Sequence, residues 1–139
     1  KNPLIQKYTP EGRARIHENL AFDTRMLHAL LRQEVHSQSA AYADNRLSLF
    51  CAQYGKCAVT GQVFETLGDI HCHHKLPLAM GGKDNYQNLI LVRESIHILI
   101  HATSEPTITK YLSQLALNKK QLAKLNKLRK EAGNPPISA

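Results

Sequence analysis

The chain has 139 residues, 42% of them hydrophobic, and a formal net charge of +7 with its histidines neutral. That length fits one compact domain with appended helices, and the charge favours a polyanionic partner, nucleic acid ahead of an anionic membrane surface. Cys51, Cys57 and Cys72 have no C-x-x-C spacing, which does not fit a disulfide framework and suggests a reducing compartment; no signal-peptide pattern opens the chain and no apolar run is long enough to span a bilayer, so no membrane partner and a cytoplasmic location are expected.

Residues 1–8 read as a linker. Thr9-Pro10-Glu11 opens a helix that runs to about Leu20: a capping hydroxyl, proline at the first helical position, and an acid near the positive end of the dipole. Asp23 caps a second helix over 24–35, with Met26, Leu27, Leu30, Leu31 and Val35 on one face. His17, His28 and His36 fall in this region, and none has a partner at ligand spacing, so they read as surface or packing residues. Residues 37–43 read as a loop. Asp44 or Asn45 caps a third helix through Gln53, with Gly55 as its C-terminal stop. The run K-C-A-V-T-G-Q-V-F reads as a strand, a turn at Thr60-Gly61, and a return. Leu67-Gly68-Asp69 turns into a strand over 70–76, which Pro77 ends. A loop over 78–87 carries Gly81-Gly82.

Residues 89–92 then read as a strand and 94–102 as a helix. Thr103 or Ser104 caps a further helix to about Leu117. Asn118 caps the last, over 119–132, which Gly133 stops before Pro135-Pro136. Between 119 and 130 stand Lys119, Lys120, Lys124, Lys127, Arg129 and Lys130 with no acid, around an apolar stripe of Leu122, Leu125 and Leu128. That basic face is either simply solvated or a contact for a phosphate backbone.

The chain's chemistry concentrates between Asp69 and Ala102, which holds His71, His73, His74, His97 and His101. Neutral imidazole offers a lone pair to a metal. On a helix, residues four apart share a face, so His97 and His101 can meet one ion while Ile96, Leu99 and Ile100 face the core. On a strand, alternation pairs His71 with His73 and sends His74 to the other side, and periodicity does not settle which of them joins the helical pair. A hydrolytic site needs an open coordination position and a separate base, which three ligands and one further histidine provide. Four ligands would close the site and make it structural.

The order H-H-K-L-P, G-G-K-D, N-L-I-L-V, H-I-L-I-H resembles the HNH, or ββα-metal, endonucleases, in particular members ending in H-x-x-x-H such as the colicin-type DNases. The resemblance covers roughly residues 55–102 and implies an α+β fold, a ββα-metal core flanked by helices. It implies that His73, His97 and His101 bind one divalent ion, that His74 is the general base, and that Asn88 ties the loop together and steadies that base. His71 stands where relatives often carry an acid; it either orients a ligand or competes with His73. Thr60, Arg93 and Ile96 stand where relatives bind a structural zinc through paired cysteines, so beside Cys57 no structural zinc is expected.

The flanking runs Y-T-P-E-G-R-A-R-I-H-E-N-L, D-N-R-L-S-L-F and G-K-C-A-V-T-G-Q resemble the C-terminal DNA-binding and endonuclease end of group II intron-encoded reverse transcriptases/maturases, and so does the basic tail. That resemblance, with Lys1 in place of a start methionine, implies an upstream polymerase region and a division into residues 1–45, a helical DNA-binding extension, 46–103, the endonuclease core, and 104–139, basic helices. DNA is then the substrate, and intron RNA is bound through the rest of the longer protein. Lys75, Lys83, Lys119, Lys120, Lys124 and Lys127 are the candidate nucleic-acid contacts. Imidazole ligation suits zinc, nickel or manganese better than magnesium. The resemblance nonetheless implies magnesium or manganese for turnover, with zinc able to occupy a purified sample. The rival function is a metal-stabilised nucleic-acid-binding module without catalysis.

Overall fold

The structure, a computed structural model, describes residues 25–30 and 39–138. Its sheet is small: β1 (His71–His74) pairs antiparallel with β2 (Leu89–Val92), in the register His71↔Val92, Cys72↔Leu91, His73↔Ile90 and His74↔Leu89. A two-stranded hairpin is marginal alone and needs covering on its apolar face. The sequence supplies that cover directly. β2 is a continuous L-I-L-V, of which Leu89, Leu91 and Val92 are buried.

Helix α1 (Ala40–Ala52) lies against β2 and buries Leu49 and Phe50. Just beyond its end, Gln53 acts as a surrogate strand. Its side-chain amide donates to the carbonyl of Leu91 at 3.0 Å and accepts from the Leu91 amide at 3.0 Å. At Leu91 the outer edge of β2 is thereby satisfied without a third strand. The loop expected over 37–43 and the caps expected at Asp44 or Asn45 are corrected here. The helix begins at Ala40 because the Ser39 hydroxyl accepts the Tyr42 amide at 3.0 Å, and two alanines follow at once.

The strand-turn-return expected over 56–64 is a coiled loop with one bridge, Lys56↔Val63. Cys57, Val59 and Phe64 all turn inward from it, and that burial outweighs strand pairing. The strand expected over 70–76 spans 71–74, and Leu67–Asp69 forms a 3-10 turn before it.

After β2 come α2 (Glu94–His101), α3 (Glu105–Leu115) and α4 (Lys119–Glu131). Asn118 caps α4 as expected, in a reciprocal box with Gln121. The core gathers Phe50, Phe64, Leu91, Val92, Ile96, Leu99, Ile100 and Leu125 between these elements. Arg129, one of the six basic residues of the expected solvated or phosphate-facing helix, is instead buried at 2% exposure. Its guanidinium donates to the carbonyls of Leu99 and Ala102 at the end of α2 and to that of Pro135.

The architecture is therefore α+β. Residues 25–30 are helical, within the expected second helix, and Leu30 is buried. The helix expected over 9–20, with His17, and the position of His36 lie outside the described residues. Helix α1 runs across the expected division between residues 45 and 46. No described helix is long and apolar enough to cross a membrane.

Candidate metal centre

The amphipathic pattern of E-S-I-H-I-L-I-H sets the site. Ile96, Leu99 and Ile100 are fully buried, and that anchorage contributes about 1.5–3 kcal/mol for each side chain. His97 and His101 share the opposite face, with ring centroids 5.0 Å apart. β1 lies under that face and presents its third residue to it. The His73 ring stands 5.2 Å from that of His97 and 5.1 Å from that of His101. One ring nitrogen from each of His73, His97 and His101 lies within 4.8 Å of the others, so the three can hold a metal ion.

Two observations of the protein itself fit that ion. His73 is 2% exposed, yet its Nε2 has no hydrogen-bond partner, and a buried polar atom without a partner is costly. Burial, then the neighbouring charges of His97, His101, His74 and Lys75, pushes the His73 imidazole down to about 3. Burial likewise lowers His97 to about 4, with help from His101, His71 and His74, and burial lowers His101. The trio is thus neutral at neutral pH, the state in which imidazole is a ligand.

His71 lies outside the trio and against one member of it. Its Nδ1 is 3.0 Å from the Nδ1 of His97, so one of those two nitrogens carries the proton between them. Strand alternation places His71 and His73 on the α2 side and His74 on the other. There, the His74 ring stacks on Tyr42, with centroids 5.7 Å apart and planes 23° apart, and its Nε2 is 2.7 Å from Oδ1 of Asp84.

Asn88 organises the loop between the strands entirely through backbone. Its side chain accepts the Leu76 amide at 2.8 Å and donates to the carbonyls of Leu76 and Lys83 at 3.0 and 2.9 Å. Its own carbonyl accepts the Lys75 amide at 2.8 Å. This close wrap is why Gly82 is glycine: a Cβ there would lie 1.8 Å from the Leu76 oxygen and 2.9 Å from Asn88 Nδ2. Gly81 takes the left-handed φ of 94° that starts the return. The side chain that touches His74 is Asp84 rather than Asn88. Sequence reasoning missed Asp84, although an acid two residues after Gly-Gly, in a loop that returns beside β1, was the available signal.

No protein-family model, curated protein or solved structure matches the chain.

A cleft of about 500 Å³ opens beside the trio, lined by His97, Ile98, His101, Ala102, Thr103, Ser104 and Thr107. Of the lysines singled out in the sequence, Lys83, Lys119, Lys120, Lys124 and Lys127 are exposed and Lys75 is half-buried. Lys83 belongs to a second, smaller cleft of about 330 Å³ with Gly82, Asn85, Gln87 and Asn88. Near Cys57, the backbone amides of Thr60 and Arg93 point at its sulfur, at 3.5 and 3.4 Å. The Arg93 side chain reaches Asp69 at 3.0 Å and also Gln62.

Proposed function

We propose that this chain is a divalent-metal-dependent DNA endonuclease domain of the HNH, ββα-metal type. The observation that carries the reading is the division of labour among neighbouring histidines. His73, His97 and His101 converge, while His74, next in the chain, stands apart on a carboxylate. Three neutral imidazoles leave coordination positions open, which is the pattern of a reactive rather than a closed site.

In this reading His73, His97 and His101 hold the ion. When bound, it supplies charge stabilisation for a phosphodiester undergoing displacement. Magnesium or manganese supports turnover, and zinc can fill the site in a purified sample. His74 accepts the proton of the attacking water, and the products carry 3′-hydroxyl and 5′-phosphate ends. Asn88 holds the loop that follows His74. The exposed lysines 83, 119, 120, 124 and 127, with Lys75, contact phosphates and give affinity that falls with salt. The wider proposal is that the chain is the endonuclease end of a group II intron-encoded reverse transcriptase/maturase. There the new 3′-hydroxyl primes reverse transcription, and intron RNA is bound by other parts of the protein.

Nicking of supercoiled plasmid across magnesium, manganese and zinc, with and without chelator, tests the reading. Wild type should nick in a metal-dependent way. His74→Ala should abolish nicking while manganese still binds. Nicking by His74→Ala at the wild-type rate would remove the base assignment. Metal-dependent DNA binding with no cleavage under any ion would favour the non-catalytic module.

A further inference from the structure

The histidine read as the base is held from one side by a network that begins outside the histidine-rich stretch. His74 Nε2 meets Asp84 Oδ1 at 2.7 Å, and the other carboxylate oxygen accepts the Ser39 hydroxyl at 2.6 Å. The same hydroxyl accepts the Tyr42 amide, so its one proton is committed to Asp84. Asn45 donates to the Asp84 carbonyl at 2.8 Å, and the Tyr42 ring lies along His74. Three side chains from the capping residue and first turns of α1 therefore meet Asp84 and His74 from up to 45 positions away in sequence.

An ionised carboxylate accepts hydrogen bonds and donates none. The proton in the Nε2 contact therefore belongs to the imidazole, and the lone pair of neutral His74 is on Nδ1. The hydrogen bonds from Ser39 and His74 hold the Asp84 carboxyl below the usual carboxylate range, which keeps it ionised at neutral pH. We infer that Asp84 is a positioning residue that fixes His74 as its Nε2–H tautomer and leaves Nδ1 as the atom that takes the water proton. Ser39, Tyr42 and Asn45 belong to the same site through it. This rests on the reading of His74 as the base. The plainer role would be a loop staple, in which Asp84 only ties residues 81–88 to α1 and β1.

The test uses the full chain loaded with manganese for kinetics and with zinc for nuclear magnetic resonance. Two-bond ¹H–¹⁵N correlation of the histidine rings reads the tautomer directly. Wild-type His74 should show a protonated Nε2 and a bare Nδ1. Asp84→Ala should show mixed tautomers and lose about a hundredfold in kcat for plasmid nicking. KM for DNA should stay within about twofold. Zinc affinity and the far-ultraviolet circular dichroism spectrum should match wild type. Asp84→Asn, whose amide oxygen can still accept from Nε2–H, should recover part of kcat. Ser39→Gly, a substitution an N-cap tolerates, should give a smaller kcat loss of the same kind and stands in if Asp84→Ala does not fold.

A kcat within about twofold of wild type in Asp84→Ala would overturn the inference. So would an unchanged tautomer, or a loss confined to stability and zinc affinity. A wild-type protein that cuts no DNA overturns the nuclease reading and the catalytic half of this one. The ring spectrum of wild type against Asp84→Ala still decides whether the carboxylate sets the tautomer.

Discussion

Replacing Arg129 with methionine should loosen α2, the helix that carries His97 and His101, from its C-terminal end. An α-helix leaves its last four carbonyls without intrahelical partners. In α2, Arg129 Nη1 takes two acceptors at that end, Leu99 at 2.5 Å and Ala102 at 2.7 Å, while its Nε holds Pro135 at 2.8 Å. Hydrogen bonds from a charged donor contribute about 1.5–3 kcal/mol each when their partner is left buried. Leu99 is fully buried and incurs the full penalty, whereas Ala102 is half-buried and Pro135 exposed, so water recovers part of their share. The sum is about 4 kcal/mol, a large fraction of the stability of an ordinary domain. Methionine keeps apolar volume at the site, so the loss reports on the bonds rather than on a cavity. Arg129→Lys keeps the charge but not the fork and should lose about half as much. Urea denaturation followed by circular dichroism, with and without zinc, measures both. Because α2 carries His97 and His101, zinc affinity should fall in step with stability. A loss under about 1 kcal/mol in Arg129→Met, with zinc affinity unchanged, would refute the argument that this arginine holds the site together.

Three further outcomes follow from the same geometry. His97→Ala should weaken zinc binding by at least about a hundredfold in calorimetric titration, since losing a mere supporting partner of a ligand already costs ten- to a hundredfold; unchanged affinity would exclude the trio as the metal site. The metal-free protein should lose stability as pH falls from 7 to 5. The folded-state values of His73, about 3, and His97, about 4, lie below the ordinary 6.5, so the unfolded chain takes up more protons in that window. Their contribution is complete above pH 6.5 and is lost towards the folded values. At pH 5 His73 alone accounts for about 2 kcal/mol, and His73→Leu should flatten the urea-midpoint profile by that amount or the burial argument is wrong. Gly82→Ala should cost at least about 2 kcal/mol in the same urea assay, because the new Cβ collides with the Leu76 backbone; a neutral result would mean the loop can open without penalty.

Much of the site could be read from spacing alone. Four-residue separation put His97 and His101 on one face and Ile96, Leu99 and Ile100 on the other, since both follow from helical pitch. Alternation put His71 and His73 together. What it could not give was depth: both face α2, but His73 sits where its ring reaches His97 and His101, and His71 contacts His97 from outside the trio. That difference depends on how α2 crosses the strand, a tertiary quantity. The Ser39–Asp84 contact was equally hidden, because it joins residues 45 apart through no repeating pattern. The burial of Arg129 escaped for a third reason. A basic residue within a run of lysines looks like surface, and only its three carbonyl partners mark it as structural.

The pairing of β1 with β2 also sets which way each histidine of β1 faces. Consecutive side chains on a strand face opposite ways, so sliding β1 by one position would carry His74 to the helix side and turn His73 away. Such a slip would also turn Cys72 away from the core against which it packs. Asn88 stands at the end of the hairpin with bonds to the main chain of Leu76 and Lys75, and these favour the observed register. An asparagine outside the histidine trio thereby ties the end of the hairpin at the position that keeps His73 toward α2 and His74 toward Asp84.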